Sequence, residues 1–135
     1  MTRLRMITDQ NLAGLDATLN ERYPKKIKAI SALAHDFHDY TADEDLIRFG
    51  HKKKYILLTS DVKSIKKSKY PPCKHGGIVN LPGMPSKDEV LSRIEKLIQS
   101  GPRYLKQIRG HFTHLGSDGA TIYKEHGEVV QVPFT

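Results

Sequence analysis

The part of the sequence that most constrains the fold is the segment 55–61, Tyr-Ile-Leu-Leu-Thr-Ser-Asp. Its first five residues are apolar or favour strands, so they predict a β-strand that is buried on both faces. Strands of this kind lie at the centre of parallel α/β sheets, where ligands bind just beyond the carboxyl ends of the strands. The segment ends in Asp61, and we therefore expect this carboxylate to lie at such a position.

The length and composition favour one globular domain. The chain has 135 residues, of which 38% are hydrophobic, and this suffices for a single domain over residues 1–135. It has no apolar run near the roughly 18 residues of a membrane span and no signal-peptide pattern. Cys73 is the only cysteine, which excludes an internal disulfide and a cysteine-based zinc site. We expect a cytoplasmic protein that is not bound to a membrane.

The pattern around the central strand predicts an α/β domain with a mainly parallel central sheet flanked by helices. Further strands are expected at residues 4–8, 26–30 and 76–81. Residues 120–133 alternate in polarity around Gly127, which predicts a β-hairpin. The core of the domain is assigned to residues 3–82, followed by a C-terminal helical and hairpin extension over residues 86–135.

Four helices are predicted from apolar spacing and from capping residues. The first has leucines at helical spacing, and Asp9 or Asn11 is expected to cap it. The second and the third each begin with a capping box, a hydroxyl residue followed three positions later by Glu. The helices are assigned to residues 12–23, 41–54, 86–99 and 102–110.

Three aspartates are predicted to meet at one edge of the sheet. Asp9 directly follows the first strand, and Asp61 follows the central strand. Asp43 lies in the first turn of the helix before the central strand, which a right-handed βαβ unit places at the carboxyl edge. Clustered carboxylates repel one another unless a divalent cation holds them, and oxygen ligands suit Mg²⁺ or Mn²⁺. Asn11 and Thr59 are candidates to orient a carboxylate or a metal-bound water.

Each aspartate also has a purely structural interpretation. Asp9 can act only as a helix cap, and Asp43 is favourable against the dipole at the start of a helix without any metal. Asp61 can be an ordinary turn residue. Their expected placement at one edge of the sheet favours a metal site over these alternatives.

The positive charge points to a polyanionic partner. The formal net charge is +7, and such a balance favours nucleic acids through the release of their counterions. The lysines that surround the central strand are the expected contacts to a phosphate backbone, although a solvated surface would explain them equally well. These residues are Lys52, Lys53 and Lys54 before the strand and Lys63, Lys66, Lys67 and Lys69 after it.

Several of these segments together resemble the PIN-like domain family, in particular the short bacterial nucleases associated with toxin–antitoxin pairs. The similar segments are Ile-Thr-Asp-Gln-Asn-Leu at 7–12, Ala-Asp-Glu-Asp-Leu-Ile at 42–47, Ile-Leu-Leu-Thr-Ser-Asp at 56–61 and Gly-Ile-Val-Asn-Leu at 77–81. The resemblance covers residues 3–82. It implies a parallel sheet flanked by helices and a metal-dependent RNA endonuclease, in which Asp9, Asp43 and Asp61 are metal and catalytic residues and Thr59 supports them.

The same resemblance implies RNA as the substrate, a cognate antitoxin and a homodimer as partners. The apolar helix at 87–99 is one candidate for the dimer surface, and it is equally suited to the core. Gln10 and Lys63 stand where short relatives often carry acidic residues. They favour the alternative of a non-catalytic nucleic-acid-binding or protein-interaction module. An enzyme that acts on a small phosphate compound at the same edge is a third interpretation.

Other motifs carry weaker signals. The pairs His35 and His38, and His111 and His114, have spacings that occur in metal sites. The lone Cys73 is expected to have no catalytic role. Tyrosines such as Tyr55 can stack on bases or pack in the core. No phosphate-binding glycine loop or dinucleotide fingerprint is present in the sequence.

Overall fold

A computed structural model describes residues 3–8, 12, 14–31, 50–60, 76–83, 85–124 and 127–134. The described chain forms an α/β structure with one seven-stranded sheet of order β2-β1-β3-β4-β5-β6-β7. The first five strands in that order are parallel, and the last two pairings are antiparallel. The strands are β1 (Leu4–Thr8), β2 (Ile27–Ser31), β3 (Ile56–Thr59), β4 (Ile78–Asn80), β5 (Phe112–Leu115), β6 (Gly119–Tyr123) and β7 (Val129–Pro133).

The central strand is as buried as its composition predicts. All four residues of β3 are buried, and β3 is paired on one side with β1 and on the other with β4. Ile56 and Leu58 contact the apolar cluster on one face of the sheet, and Leu57 contacts the cluster on the opposite face. The prediction of a strand covered on both faces is therefore confirmed.

Three helices pack on what we call the first face of the sheet. They are α1 (Leu15–Arg22), α2 (Lys87–Gln99) and α3 (Pro102–Gln107). Residues 50–53, which lead into β3, are also helical. The cap of α2 is the predicted one, because the Ser86 hydroxyl accepts a hydrogen bond from the Glu89 N–H at 3.2 Å.

The prediction for the cap of α1 is wrong. The helix begins at Leu15 and its cap is Gly14, which has a φ of 91° and gives no side-chain hydrogen bond. The leucine spacing suggested one continuous helix from Leu12, but a residue with positive φ interrupts the helical geometry at position 14. Neither Asp9 nor Asn11 is therefore the N-cap residue of this helix.

The apolar side of α2 belongs to the core. Val90, Leu91, Ile94 and Leu97 are buried in the cluster that covers the first face of the sheet. Arg93 is also buried, and its guanidinium donates hydrogen bonds to the carbonyls of Pro82 and Leu115. This settles the choice between a dimer surface and the core for the apolar side of this helix in favour of the core.

The C-terminal region contains a strand that the sequence patterns did not indicate. β6 and β7 form the predicted antiparallel hairpin, but β5 lies between this hairpin and β4, to which it pairs in parallel. Residues 111–114 contain two histidines and a threonine, and only Phe112 is strongly apolar, so the segment has no clear strand pattern. Pairing to β4 creates this strand, which is a tertiary effect.

The connections on the first face differ in hand. The connection through α1 joins β1 to β2, and the connection through α2 and α3 joins β4 to β5. These connections advance along the sheet in opposite directions but cover the same face. One of them is therefore the left-handed crossover, a form that occurs in only about 2% of such connections.

The strand order reverses between β1 and β3. From β1 the chain moves to β2 on one side of the sheet, and β3 then pairs on the other side of β1. In open α/β sheets, ligands bind outside the carboxyl ends of the strands at such a reversal. In the part of the chain that the structure describes, no helix is long and apolar enough to cross a membrane.

Candidate functional site

Buried polar side chains are concentrated where the parallel strands end. Seven polar or charged residues are buried in the described part of the chain, and five of them lie at the carboxyl ends of β1, β2, β3 and β4. We call these five residues the carboxyl-edge cluster. Its members are Thr8, Ser31, Thr59, Ser60 and Asn80. Burying polar groups costs free energy unless they form hydrogen bonds, so the partners of these side chains decide what this edge can bind.

The sheet register aligns part of this cluster in one row. Thr59 lies opposite Asn80, and Asn80 lies opposite His114. Thr121 and Gln131 continue the same row on the antiparallel strands, and the Thr121 hydroxyl donates to the Gln131 amide oxygen at 2.9 Å. Burial falls along the row, from Thr59 at 0% exposure and Asn80 at 3% to an exposed Gln131. The row therefore connects the buried centre of the sheet with solvent.

Asn80 is the residue of this row whose hydrogen bonding is incomplete. Its Nδ2 lies 3.3 Å from Nδ1 of His114 and can donate to it. Its Oδ1 is buried and, among the described residues, has no hydrogen-bond partner. When Nδ1 of His114 accepts this bond, the imidazole is neutral and carries its proton on Nε2. The pair thus places the buried amide oxygen of Asn80, which can accept a hydrogen bond, beside the half-buried ring of His114, whose Nε2–H can donate one.

The threonines of the cluster differ in their partners. The Thr8 hydroxyl donates to the Ile30 carbonyl across a long distance of 3.5 Å. Thr59, the one predicted supporting residue that the structure describes, is completely buried at the end of β3 and takes part in interactions of its own. The expected role of Thr59 in orienting a carboxylate or a metal-bound water stays a prediction.

The predicted metal ligands are not among the residues that the structure describes. Asp9, Asp43 and Asp61 lie outside the described ranges, as does Asn11. The same holds for His35, His38 and Cys73. In sequence, Asp9 directly follows Thr8 of β1, and Asp61 directly follows Ser60 at the end of β3.

The lysines divide into two groups. Lys52, Lys53 and Lys54 are exposed and precede β3, so they lie at the amino edge of the sheet, opposite to the carboxyl-edge cluster. The four residues of β3, at about 3.3 Å per residue, span roughly 13 Å between these edges. The expected contact of these three lysines to a phosphate backbone stays a prediction. Lys63, Lys66, Lys67 and Lys69 lie outside the described ranges.

The donor atoms of the carboxyl-edge cluster suit a hard cation. Hydroxyl and amide oxygens are among the ligands that Mg²⁺ and Mn²⁺ accept, usually together with carboxylates and water. Oδ1 of Asn80, which has no partner within the described ranges, is such an oxygen, and it lies at the same edge as Thr59. Within the described residues, no three His, Cys, Asp or Glu side chains form a group that could hold an ion.

The two histidines of residues 111–114 have separate roles. His111 forms a hydrogen bond from Nδ1 to the Gln107 carbonyl at 2.8 Å, at the end of α3. His114 lies three residues later, on β5, and contacts Asn80. The pair therefore does not act as one metal site. Tyr55 is buried in the core of the second face, with the Arg5 guanidinium 4.3 Å from its ring centre.

Sequence reasoning missed four members of the carboxyl-edge cluster as site residues. Thr8, Ser31 and Asn80 are each the last residue of a strand, and Ser60 follows directly after one. A small polar residue that ends an apolar strand is the signal that could have identified them. His114 could not be found in this way, because its strand was not predicted.

The comparisons with known proteins found no relative of this chain. No family model matches this chain, and no similar protein was found among curated sequences or among solved structures.

Proposed function

We propose that this protein is a metal-dependent RNA endonuclease with a PIN-like fold. The observation that carries the proposal is the reversal of strand order between β1 and β3, because both strands end there in buried polar residues. Asp9 and Asp61 are the acidic residues that follow these two strands in the sequence. The reversal is the position at which open α/β sheets bind their ligands.

Asp9, Asp43 and Asp61 are the residues proposed to hold Mg²⁺ or Mn²⁺. Such an ion, when bound, activates water and stabilises the charge that develops on a phosphodiester. Thr59 and Asn11 are proposed to orient the carboxylates or a bound water. The amide oxygen of Asn80 adds a buried acceptor at the same edge, for which the described residues supply no partner.

The proposed role of the carboxyl-edge cluster is to order hydrogen bonds around the scissile phosphate. Hydroxyl and amide groups that are fixed by strands lose little entropy when they bind a ligand, so they position it well. Thr59 and Asn80 lie on neighbouring paired strands, and Asn80 is tied to His114. Nε2 of His114 is then a candidate donor to a phosphate oxygen.

The biological setting is proposed from the resemblance alone. It comprises a cytoplasmic toxin that is neutralised by a cognate antitoxin and that forms a homodimer. The absence of a membrane-spanning helix in the described residues is compatible with this setting.

The test is the cleavage of a mixed RNA pool in the presence of Mn²⁺, Mg²⁺ or EDTA, with the wild type and Asp9→Ala compared side by side. We expect cuts that require metal and that disappear in the variant. A variant with normal folding, judged by its thermal unfolding curve, and with full cleavage would show that Asp9 is not a ligand. Cleavage that persists in EDTA would contradict metal dependence.

A nucleic-acid-binding module without catalysis is the second candidate. The exposed cations at the amino edge favour this candidate, because they are distant from the carboxyl-edge cluster and can bind phosphates without a metal ion. This candidate predicts that the protein binds RNA in EDTA and cleaves none of it in Mn²⁺. Detectable binding of Mn²⁺ that Asp61→Asn removes would argue against it.

A further inference from the structure

A groove opens at the amino edge of the sheet, on the side away from the carboxyl-edge cluster. Its volume is about 220 Å³, and it lies between the start of β1, the residue before β2 and helices α2 and α3. Four apolar side chains and three cationic ones form its wall. They are Leu4, Ile98, Pro102 and Leu105, together with Lys26, Lys106 and Arg109. We call this the amino-edge groove.

The wall of the groove has the character of a site for an amphipathic anion. Leu4 is buried, and Ile98 and Leu105 are partly buried and pack against the core, so the apolar side is a fixed surface. Lys26, Lys106 and Arg109 are exposed, and no acidic residue lines the groove. Arg109 is held in place by a hydrogen bond from Nη2 to the Arg3 carbonyl at 3.3 Å. An apolar surface beside positive charge suits a ring with an attached phosphate.

Positive charge continues along the amino edge beyond the groove. Arg3 and Lys25 precede β1 and β2, and Lys52, Lys53 and Lys54 precede β3, all of them exposed. In the described part of the chain, none of these lysines forms an ion pair. Among the described residues, the exposed acids near this edge are Glu21, at the end of α1, Glu95, whose charge acts on Tyr23 beside that end, and Glu128, in the turn between β6 and β7. The surplus of cations favours a chain of phosphates over a single small anion.

We infer that the amino-edge groove binds one nucleotide of a single-stranded RNA whose backbone continues along the lysines before β3. The base would lie on Leu4, Ile98 and Leu105, and the phosphate would contact Lys26, Lys106 and Arg109. A polynucleotide accounts for both features of this edge, because it supplies an apolar ring and repeated negative charge. An acidic peptide supplies the charge without the ring, and an anionic lipid surface is too flat to use the groove.

This inference takes its substrate, RNA, from the proposed function and rests on it. It deepens that function because it places RNA binding at the amino edge and cleavage at the carboxyl edge. β3 has four residues and β1 has five, so the two edges are roughly 13–16 Å apart at 3.3 Å per residue. An RNA that occupies both edges must therefore be several nucleotides long. We expect cleavage of long strands to depend on the groove and cleavage of very short ones to be independent of it.

The experiment is a binding titration in EDTA, in which no metal-dependent cleavage occurs. The probe is a fluorescently labelled single-stranded RNA of about 12 nucleotides, which is within the usual site size of such surfaces. Lys106→Glu is compared with Lys87→Glu, which changes the net charge equally. Lys87 is exposed at the start of α2 and lies beside Gly14, at the other end of the sheet. Fluorescence anisotropy at several salt concentrations gives the Kd and its salt slope.

We expect Lys106→Glu to raise the Kd roughly fivefold or more and to lower the salt slope by about one, as for the loss of a phosphate contact. Lys87→Glu should change the Kd less than twofold. Equal effects of the two variants would overturn the inference, because they would show that only net charge matters. An absence of RNA binding by the wild type would overturn it as well.

A competition experiment tests whether the apolar side of the groove contacts a base. Inorganic polyphosphate with a matched number of charges is added to the complex of protein and labelled RNA. We expect the polyphosphate to compete at least roughly tenfold more weakly than unlabelled RNA, since it lacks rings to stack or bury. Equal competition would refute a nucleotide site. These outcomes are distinguishable from those of the cleavage assay, because RNA binding in EDTA does not depend on catalysis.

Discussion

The two ends of the parallel strands differ in both charge and packing. At the amino edge, the described cations are exposed, and the backbone segments that begin β3 and β4 approach one another closely. At the carboxyl edge, small polar side chains are buried, and one of them has an oxygen for which the described residues supply no partner. The amino edge therefore combines tight backbone packing with cations that face the solvent. The carboxyl edge instead buries polar side chains, which costs stability where a hydrogen bond is missing.

The close packing of the amino edge depends on glycine. A Cβ atom at Gly76 would collide with the carbonyl oxygen of Tyr55, and a Cβ atom at Gly77 would lie 2.7 Å from the carbonyl oxygen of Ile108. Gly77 also has a φ of 127°, a conformation that residues with a side chain rarely adopt. These glycines join the start of β4 to β3 and to the end of α3 without space for a side chain.

The largest effect is expected at the carboxyl edge, in catalysis. Asp61→Asn removes a charge that the proposed metal site requires, and we expect RNA cleavage in Mn²⁺ to fall on the order of a thousandfold, about 4 kcal/mol in the barrier. Initial rates on a labelled RNA measure this. RNA affinity in EDTA should remain within about twofold, because the amino edge is unchanged. Full activity of the variant would show that RNA cleavage does not depend on Asp61 at the carboxyl edge.

The next effect is expected at the amino edge, in stability. Gly77→Ala should lower the free energy of unfolding by roughly 2–3 kcal/mol, because it combines a strained φ with a backbone collision. Gly83→Ala is the matched control. Gly83 has a φ of 83°, and no atom of the described residues lies within 4 Å of its Cβ position, so its substitution should cost about 1 kcal/mol from strain alone. Urea unfolding of both variants measures the difference, and equal losses would show that the close approach at Gly77 is unimportant.

The third prediction concerns Ser86, which lies near the carboxyl edge and whose hydroxyl has a hydrogen-bond partner. The Ser86 hydroxyl caps α2, which begins shortly after β4 ends. Ser86→Ala should lower the free energy of unfolding by about 1 kcal/mol, the usual value for the loss of such a cap. RNA cleavage should be unaffected. Ser86→Asp restores an acceptor and should recover the stability, so a failure to recover would argue against capping as the cause.

The smallest expected effect is the change in stability on substitution of Asn80, and it tests the difference between the two edges most directly. Asn80→Leu removes the bond to His114, but it also removes a buried oxygen that has no hydrogen-bond partner among the described residues, and we expect the second effect to be the larger. We expect the free energy of unfolding to rise by about 0.5–1 kcal/mol while cleavage declines. Urea unfolding and initial rates measure the two effects. A loss of stability instead would show that Asn80 serves the fold and is not retained for binding.

Local patterns predicted much of the secondary structure. The alternation of apolar segments, the Ser86 capping box, the C-terminal hairpin and the complete burial of β3 are all visible in short windows of sequence. They are predictable because a strand, a cap and a hairpin each depend on neighbours a few residues apart. For the candidate site, the same reasoning identified Thr59 and the two strand ends that Asp9 and Asp61 follow.

What the sequence by itself determined was therefore most of the described elements, though not β5, since period and capping are local properties. The tertiary structure decided the strand order and its reversal at β1, the parallel addition of β5 and the contact between Asn80 and His114. It also decided that Lys52, Lys53 and Lys54 lie at the edge opposite to the carboxyl-edge cluster. These features depend on which strands pair and in which direction, and pairing between distant segments is set by the packing of the whole sheet.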